Sequence, residues 1–339
     1  MKALVYTGPE KVEIQDVPKP ALQAGDVLLR VSASGVCGSD IHGFLGHSER
    51  RKPGLILGHE AVARVTESHP SVKSWKPEQR VVINPLISCG TCSPCGAGRQ
   101  NLCPTWQVLG LDRRHGTYAE FVAVPAAQLF PISEELPEKH AIMTEPLANI
   151  VHFYRISLGE VPETAAIMGA GTIGVLALLM AKLRGISRVC VVDRNEKRLE
   201  VARKLGADLV INSDKADAVQ EARRFFGGEG AEYVVEAVGV EPTRRAAVNV
   251  CRRGGRVLFI GMGEMNSSLP WIEMIRDEKA IFTTFAYTPR DFATSLRLIE
   301  TGRIDLTPWT EVRPLEQGQE GFLKITHNPG ATLKLMFTL

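Results

Sequence analysis

The chain has 339 residues, of which 44% are hydrophobic and 23% charged, and this is the composition of a soluble globular protein. Lys and Arg (40) nearly balance Asp and Glu (38), so the net charge of +2 gives no reason to expect nucleic acid or an acidic membrane as a partner. The length favours two domains over a single core.

The N-terminal segment has no apolar core long enough for a signal peptide, and the longest apolar run, Val175–Ala181, is far too short to span a membrane. We therefore expect a cytoplasmic protein without a membrane partner. Four of the seven cysteines fall within fifteen residues. In a chain without a secretory signal, such a cluster favours a metal site over a disulfide framework.

Residues 1–145 predict a β-rich domain, either barrel-like or partly open. Short runs of Val, Ile and Leu are separated by Gly, Pro, Asp and Ser, as is typical of strands joined by turns. The predicted strands are Lys2–Tyr6, Val12–Val17, Val27–Ser32, Ala61–Thr66, Arg80–Asn84 and Phe121–Val124.

A first candidate metal site combines Gly-Val-Cys-Gly-Ser-Asp-Ile-His at 35–42 with Gly-His-Glu at 58–60. Cys37 and His59 are good zinc ligands, and Glu60 adds a carboxylate oxygen. A lone cysteine is more often a small buried hydrophobe, but the two runs together favour metal binding. Zinc held by three protein groups with one open position makes an alcohol oxygen acidic near neutral pH. These residues therefore predict an alcohol-oxidising site.

Three further side chains are expected near these ligands. Ser39 follows Cys37 by two residues, so in an extended segment its hydroxyl would point to the same side as the thiolate. Asp40 is a candidate acceptor for the far ring nitrogen of His59, which would fix its tautomer. Glu145, in Thr-Glu-Pro-Leu, opens a predicted helix. It is either an ordinary acidic residue at a helix N-terminus or a further oxygen ligand, direct or through water.

A second candidate metal site lies at residues 89–103, with the spacing Cys-x2-Cys-x2-Cys-x7-Cys. Four thiolates can surround one tetrahedral ion, and because they leave no open position, a zinc held there would be structural. The ligands are Cys89, Cys92, Cys95 and Cys103. An iron–sulfur cluster is the alternative, although ferredoxin-type motifs continue with a gap of about three residues.

Residues 146–288 predict a dinucleotide-binding domain. An apolar strand from Thr164 runs into Gly-Ala-Gly-Thr-Ile-Gly, a helix follows, and the next strand ends at Asp193, nineteen positions past the last glycine. These glycines allow a tight turn and a close approach to a pyrophosphate at the helix N-terminus. The residues expected to contact the cofactor there are Gly169, Gly171, Thr172, Ile173 and Gly174.

The type of dinucleotide depends on the end of the second strand. Asp193 can accept hydrogen bonds from the adenosine ribose and would repel a 2′-phosphate, which favours NAD. Arg194 and Arg198 keep NADP open, because an arginine can pair with that phosphate. Gly239 and Gly261 follow later strand ends and are either turn glycines or cofactor contacts. Further strands, which complete a six-stranded doubly wound parallel sheet, are predicted at Leu209–Ile211, Tyr233–Ala237, Arg256–Ile260 and Ala280–Phe285.

The last segment predicts a helix over Pro289–Glu300, ended by Gly302, and a strand beginning at Leu333. Because the nucleotide sheet is already complete, we expect this strand to join the β-rich domain. Lys334 is interpreted as a solvent-exposed strand lysine, with contact to a cofactor phosphate as the alternative.

Together these motifs resemble the zinc-containing medium-chain dehydrogenase/reductase superfamily over essentially the whole chain. Its polyol branch, with sorbitol (L-iditol), threonine and sugar-alcohol-phosphate dehydrogenases, is the most similar. The resemblance implies a GroES-like catalytic domain, residues 1–145 and 289–339, with a Rossmann domain, residues 146–288, inserted into it. It also implies one catalytic and one structural zinc per chain, with either Glu60 or Glu145 as the third catalytic ligand beside Cys37 and His59.

The activity implied is reversible hydride transfer between NAD(H) and a secondary alcohol or ketone, namely a polyol, sugar alcohol or sugar acid. Ser39 would bond the substrate hydroxyl, and His42 would end a proton relay to solvent. Threonine or another amino alcohol is the alternative substrate, and a non-catalytic nucleotide-binding protein is the alternative of another class. Related enzymes associate through the edge of the Rossmann sheet, so a homodimer or homotetramer formed through Ala280–Phe285 is expected.

One position departs from the polyol pattern. Polyol enzymes often carry Arg-Tyr after the sixth Rossmann strand, where the arginine meets substrate hydroxyls. This chain has Phe285-Ala-Tyr287, so Ala286 stands in the place of that arginine. The resemblance therefore does not extend to this contact.

Overall fold

A computed structural model describes residues 1–339, and the chain divides into two compact units. The terminal unit consists of Met1–Ala148 and Ala286–Leu339, and the central unit consists of Asn149–Phe285. The boundaries expected from the sequence, after residues 145 and 288, each lie three residues from these divisions. The first division falls inside a helix, Thr144–Ser157.

The elements are numbered along the chain. The first segment contains β1 (Lys2–Gly8), β2 (Lys11–Asp16), β3 (Asp26–Gly35), α1 (Gly38–Phe44), β4 (Leu55–Ile56), β5 (Glu60–Ser68), β6 (Arg80–Ile83), β7 (Leu86–Ile87), α2 (Ser93–Gly96), β8 (Gln107–Val108), β9 (Phe121–Pro125), β10 (Leu129–Pro131), α3 (Glu138–Ala141) and α4 (Thr144–Ser157). The central unit then contains β11 (Thr164–Met168), α5 (Thr172–Leu183), β12 (Arg188–Asp193), α6 (Glu196–Lys204), β13 (Leu209–Asn212), α7 (Ala218–Phe225), β14 (Ala231–Glu236), α8 (Glu241–Val250), β15 (Cys251–Phe259), α9 (Trp271–Arg276) and β16 (Ala280–Thr283). The last segment contains α10 (Pro289–Glu300), β17 (Thr310–Pro314), α11 (Gly318–His327) and β18 (Lys334–Thr338).

The terminal unit is β-rich, as predicted, and is organised around β3. This strand pairs with β5, β9 and β18 in a seven-stranded sheet. Val27, Leu29 and Val31 alternate along β3 and are fully or almost fully buried, which is the period-two pattern of a strand with one face on the core. The antiparallel pairing of β18 with β3 confirms that the C-terminal strand joins this sheet.

The central unit contains the predicted doubly wound sheet. Its six parallel strands have the order β13-β12-β11-β14-β15-β16, in which the first strand of the unit is central and the chain moves outward in both directions. All five residues of β11 are buried, because a central parallel strand is covered on both faces.

The helices begin where the sequence provides caps. The side chain of Asn195 accepts hydrogen bonds from the first turn of α6, and Thr288 and Asp291 form a capping box at the start of α10. The helix predicted over Pro289–Glu300 is confirmed with the same bounds. None of the helices combines the length and the apolar character that crossing a bilayer requires.

Candidate active site

The first candidate metal site is assembled by strand pairing. β3 and β5 pair with Gly35 opposite Glu60, which brings Cys37, just after β3, next to His59 and Glu60 at the start of β5. One ligand atom from each of these three residues lies within 4.8 Å of the others. His59 and Glu60 are buried, and Cys37 is half-buried. A thiolate, an imidazole and a carboxylate at this separation are a donor set that fits zinc.

Glu60 has a partner that the sequence analysis misassigned. Lys334 in β18 donates to Oε1 and Oε2 of Glu60, at 2.8 and 2.7 Å, and to the carbonyl oxygen of Val36 at 3.1 Å. The interpretation of Lys334 as an exposed lysine is therefore wrong: it is 2% exposed. Burial lowers the pKa of Lys334, but the charges of Glu60, Cys37 and Glu145 and the hydrogen bond to Glu60 together raise it by more, so the lysine stays charged. Its apolar neighbours in β18 were the available signal, because they indicate a strand buried on both faces.

Glu145 is buried at the start of α4, and its Oε1 accepts a hydrogen bond of 2.8 Å from the Tyr287 hydroxyl. Burial raises the pKa of Glu145, with His59 opposing and Glu60 adding to the rise. The charges of His59 and Glu60 therefore both act on the Glu145 carboxyl group. It does not belong to the group whose ligand atoms all lie within 4.8 Å of one another, and the choice between Glu60 and Glu145 stays open.

Asp40 lies behind these ligands and is fully buried. Its Oδ2 accepts from the Tyr118 hydroxyl at 2.9 Å and from the backbone N–H of Cys37 at 3.2 Å. Its Oδ1 lies 3.4 Å from Nη2 of Arg51 and 3.5 Å from Nδ1 of His59. Burial raises the pKa of Asp40. The charges of His59 and Arg51 and the hydrogen bond from the Tyr118 hydroxyl lower it by more, so the pKa of this carboxyl group lies well below its usual value. This 3.5 Å separation brings Asp40 and His59 together, but Nδ1 of His59 makes no hydrogen bond, so the role of Asp40 as its acceptor stays a prediction.

Ser39 is not in an extended segment, so that premise of the sequence analysis is wrong. Cys37 is the N-cap of α1, and Ser39 lies in the first turn of this helix. The Ser39 hydroxyl accepts a hydrogen bond of 3.1 Å from Arg51, a residue that no spacing rule singled out. His42 lies in the last turn of α1, and its ring packs edge-on against that of His47, with the ring centres 5.3 Å apart.

The four cysteines of the second candidate site converge. All four Sγ atoms lie within 4.8 Å of one another, with Cys92 and Cys95 3.4 Å apart and Cys89 and Cys95 4.0 Å apart. A tetrahedral ion with Zn–S bonds of about 2.3 Å requires sulfur separations of roughly 3.8 Å. Hydrogen bonds from the backbone N–H groups of Thr91 and Cys92 lower the pKa of the Cys89 thiol to about 5. The sulfur separations in this lobe, residues 86–108, therefore fit a single structural zinc ion. They do not fit an iron–sulfur cluster in which each cysteine binds a different iron.

In the central unit, the glycine turn has the geometry that the motif predicts. Gly169 has φ +102°, and a Cβ on Gly174 would overlap the carbonyl oxygen of Gly169. Gly171 is the N-cap of α5, and Thr172 and Ile173 form the first turn. Glycine at these positions therefore allows both the turn and the close approach of α5 to β11.

Asp193 ends β12 and accepts from the N–H groups of Ala170, at 2.6 Å, and Asn195, at 2.8 Å. The two neighbouring arginines differ in surroundings. Arg194 is exposed and lies 3.4 Å from Asp214, whereas Arg198 in α6 lies beside Gly171. Asp193 and Arg198 therefore border the glycine turn.

Gly239 and Gly261 have a packing role. A Cβ on either one would overlap the backbone of the other, because the loops after β14 and β15 cross there. Glu236, which no sequence pattern indicated, is fully buried and accepts from Thr243 and from the N–H groups of Val238 and Gly239, all within 2.9 Å. This carboxylate holds the loop at the C-terminal end of β14.

Comparison with known proteins assigns the family. Residues 23–134 match the alcohol dehydrogenase GroES-like domain, and residues 172–301 match the zinc-binding dehydrogenase domain. The sorbitol dehydrogenase of Bacillus subtilis is 30% identical, with 99% of this chain and 96% of that protein covered. The L-threonine 3-dehydrogenase of Bacillus velezensis is 32% identical, with 91% and 90% covered. A Sinorhizobium meliloti protein whose crystal structure contains NADP superposes with a TM-score of 0.89 at 28% identity, covering 100% and 99% of the two chains.

The fold and the ligand set thus define a zinc- and NAD(P)-dependent dehydrogenase. The chain belongs to the zinc-containing medium-chain dehydrogenase/reductase family, in its polyol branch, and the resemblance found in the sequence is confirmed.

The Glu60–Lys334 pair gives a stability prediction. Lys334→Met leaves Glu60 buried without its cation, and we expect the free energy of unfolding to fall by about 3–5 kcal/mol. Urea unfolding monitored by tryptophan fluorescence measures this change.

The matched control is Lys324→Met, which removes a more exposed lysine paired with Glu311. Its expected cost is below about 1 kcal/mol. Equal losses for the two variants would show that the buried pair contributes no more than a surface pair.

Proposed function

We propose that the protein is a zinc-dependent oxidoreductase that transfers a hydride reversibly between NAD(H) and a secondary alcohol or its ketone. The observation that supports this activity is the convergence of Cys37, His59 and Glu60 within 4.8 Å. It occurs in a chain whose central unit has a dinucleotide-binding turn. A purely structural or nucleotide-binding protein has no need for an open thiolate–imidazole–carboxylate site.

Cys37, His59 and either Glu60 or Glu145 would hold the catalytic zinc. When bound, zinc supplies Lewis acidity toward an alcohol oxygen, and a nicotinamide dinucleotide supplies the hydride acceptor. Oδ1 of Asp40 lies 3.5 Å from Nδ1 of His59, and a hydrogen bond between them would leave Nε2 for the metal.

The proton leaves through side chains of α1. Ser39 would receive the proton of the substrate hydroxyl and release its own hydroxyl hydrogen as a proton, and His42 would pass a proton to solvent at the end of this relay. Both residues are half-buried, so they lie between the interior and bulk water.

Gly169, Gly171, Thr172, Ile173 and Gly174, at the N-terminus of α5, would hold the pyrophosphate of the cofactor. We propose NAD as the preferred cofactor, because the Asp193 carboxylate at the glycine turn would repel a 2′-phosphate. Arg194, which lies near Asp214, and Arg198, beside Gly171, are the residues through which NADP would bind instead. Gly239 and Gly261 would border the same end of the sheet.

The substrate is proposed to be a polyol, sugar alcohol or sugar acid, as the similarity to sorbitol dehydrogenase suggests. Ala286 removes one arginine contact to substrate hydroxyls, so sorbitol itself is not favoured. Threonine is the second candidate, because the threonine dehydrogenase is as similar as the sorbitol dehydrogenase.

Metal analysis tests the two sites separately. We expect two zinc ions per chain in the purified protein, because each site has a complete ligand set. Cys37→Ser should lose one ion and all turnover with little change in stability, whereas Cys103→Ser should lose the other ion and lower the melting temperature. Elemental analysis with thermal unfolding measures both.

Cys190→Ala, a buried cysteine of the central unit, is the control and should keep two ions. Retention of both ions in Cys37→Ser would contradict the catalytic site.

A substrate panel tests the activity. Absorbance of the reduced nicotinamide is followed with NAD and then NADP, against polyols, sugar acids, sugar-alcohol phosphates and threonine, with a metal-stripped sample alongside. We expect metal-dependent turnover with one class of substrate and a higher rate with NAD. Failure of the whole panel and of simple secondary alcohols and ketones, with cofactor still bound, would favour the non-catalytic alternative.

We also propose a homodimer, or a homotetramer built from such dimers, that forms through the central unit. β16 is an edge strand, paired only with β15. Exposed edges and large apolar patches mark association sites. Around the neighbouring α9 several large apolar side chains are more than half exposed: Met262, Met265, Trp271, Ile272 and Ile275.

A cytoplasmic location stays a prediction of the sequence.

Ile275→Glu should weaken this association, because it places a charge in the patch. We expect the variant to elute at half the wild-type mass in size-exclusion chromatography with light scattering. Val161→Glu, at an equally apolar exposed position of the central unit, should keep the wild-type mass. A wild-type monomer, or two variants of equal mass, would rule out this interface.

A further inference from the structure

Arg51 is a buried arginine that pairs with Asp40 and has no assigned role in the proposed reaction. It lies in the loop between α1 and β4, its side chain is 7% exposed, and its Cδ packs against Gly43 in α1. Nη2 lies 3.1 Å from Oγ of Ser39 and 3.4 Å from Oδ1 of Asp40. The guanidinium therefore reaches the proposed relay hydroxyl and the carboxylate behind His59 with a single nitrogen.

The hydrogen-bonding capacities of the two side chains restrict the Ser39 hydroxyl. A serine hydroxyl has one donor and two acceptor sites, whereas a guanidinium has donors only. Because Arg51 donates to Oγ, the hydroxyl hydrogen of Ser39 cannot point at Arg51, and one of its two acceptor sites is filled. One acceptor and one donor remain, which is the minimum for a group that receives one proton and releases another.

We propose that Arg51 is a positioning residue that fixes the direction of the Ser39 hydroxyl for proton transfer. This inference rests on the proposed dehydrogenase activity for its kinetic consequences, but the orientation of Ser39 can be observed without turnover. The guanidinium suits this role because its planar donors are rigid and permanently charged.

The neighbouring residue holds Arg51 in place. The Arg50 guanidinium donates to both carboxylate oxygens of Asp112, at 3.0 and 2.5 Å, and lies 4.4 Å from the centre of the Trp106 ring. The N–H of Asp112 donates to the carbonyl oxygen of Arg50 at 2.9 Å, and that of Trp106 to the carbonyl oxygen of Cys103 at 3.2 Å. The four-cysteine lobe is thereby connected to the loop that carries Arg51, so order in the lobe supports the orientation of Ser39.

A double-mutant cycle tests whether Arg51 acts through Ser39. Arg51→Met keeps the apolar stem and removes every donor, and we expect kcat to fall about 10- to 100-fold with KM changed less than about threefold. In the Ser39→Ala background the same change should lower kcat by a much smaller factor, because the hydroxyl that Arg51 orients is gone and only its contact with Asp40 is lost. Arg51→Lys, which retains a charge and a donor, should recover part of the loss and remains available if Arg51→Met does not fold.

Arg50→Gln and Trp106→Leu should each lower kcat a few-fold, again only when Ser39 is present. Arg113→Gln, an exposed arginine beside Asp112 without an ion pair, is the matched control and should leave kcat unchanged. Equal losses with and without the serine hydroxyl would overturn the proposal and assign Arg51 a general structural role.

Crystal structures provide a readout that does not depend on activity. In Arg51→Met we expect the Ser39 side chain to occupy a different rotamer or more than one, with zinc content and cofactor binding unchanged. A single unchanged rotamer would contradict the proposal even in an enzyme whose substrate is unknown. Absence of turnover in the wild type would instead count against the proposed function and leave this structural test decisive for Arg51.

Discussion

Complete burial of the Asp40 carboxylate is the constraint on which the candidate catalytic site depends. A buried carboxylate is tolerated only when donors replace its lost water; three residues donate hydrogen bonds to Asp40, and Nδ1 of His59 lies 3.5 Å away. Tyr118 and the backbone of Cys37 contact Oδ2, while Arg51 and His59 face Oδ1. These groups come from the N-cap of α1, the loop after α1, the residue before β5 and the segment before β9, so the charge of Asp40 links four segments of the chain.

The ligands of the two metal sites are brought together in different ways, by local chain geometry in one site and by strand pairing in the other. The four cysteines lie within fifteen residues, and local hydrogen bonds such as that from the Cys92 N–H to the Cys89 sulfur shape their loop. Cys37 and His59 instead meet because β3 pairs with β5 in one register. A structural metal can therefore organise its own lobe, whereas the catalytic ligands require the folded sheet.

This difference explains how much could be predicted from the sequence. The glycine turn, the cysteine spacing and the six parallel strands are local or periodic patterns, and each was predicted close to its observed place. The roles of Arg51 and Tyr118 were missed, and Lys334 was misassigned as exposed. Arg51 and Tyr118 contact Asp40, 11 and 78 positions away, and Lys334 contacts Glu60, 274 positions away. Their partners are chosen by tertiary packing, and no local pattern marks a long-range contact. The helix that contains Ser39 was not predicted, and its N-cap, Cys37, is not one of the usual Ser, Thr, Asp or Asn that mark a helix start.

Charge balance explains why a divalent cation suits the first site. Cys37 as thiolate, Glu60 and Glu145 would contribute three negative charges to a buried region, and Lys334 is the ammonium that interacts with all three. With His59 neutral, as a zinc ligand is, two negative charges remain in excess without a further cation, which low-dielectric surroundings disfavour. The raised pKa of Glu145 is consistent with this excess of negative charge, because burial and the Glu60 carboxylate both favour the protonated form of Glu145. A divalent metal removes the excess whichever glutamate coordinates it. The pairing of Glu60 with Lys334 therefore leaves the site anionic enough to retain zinc and neutral once zinc is bound.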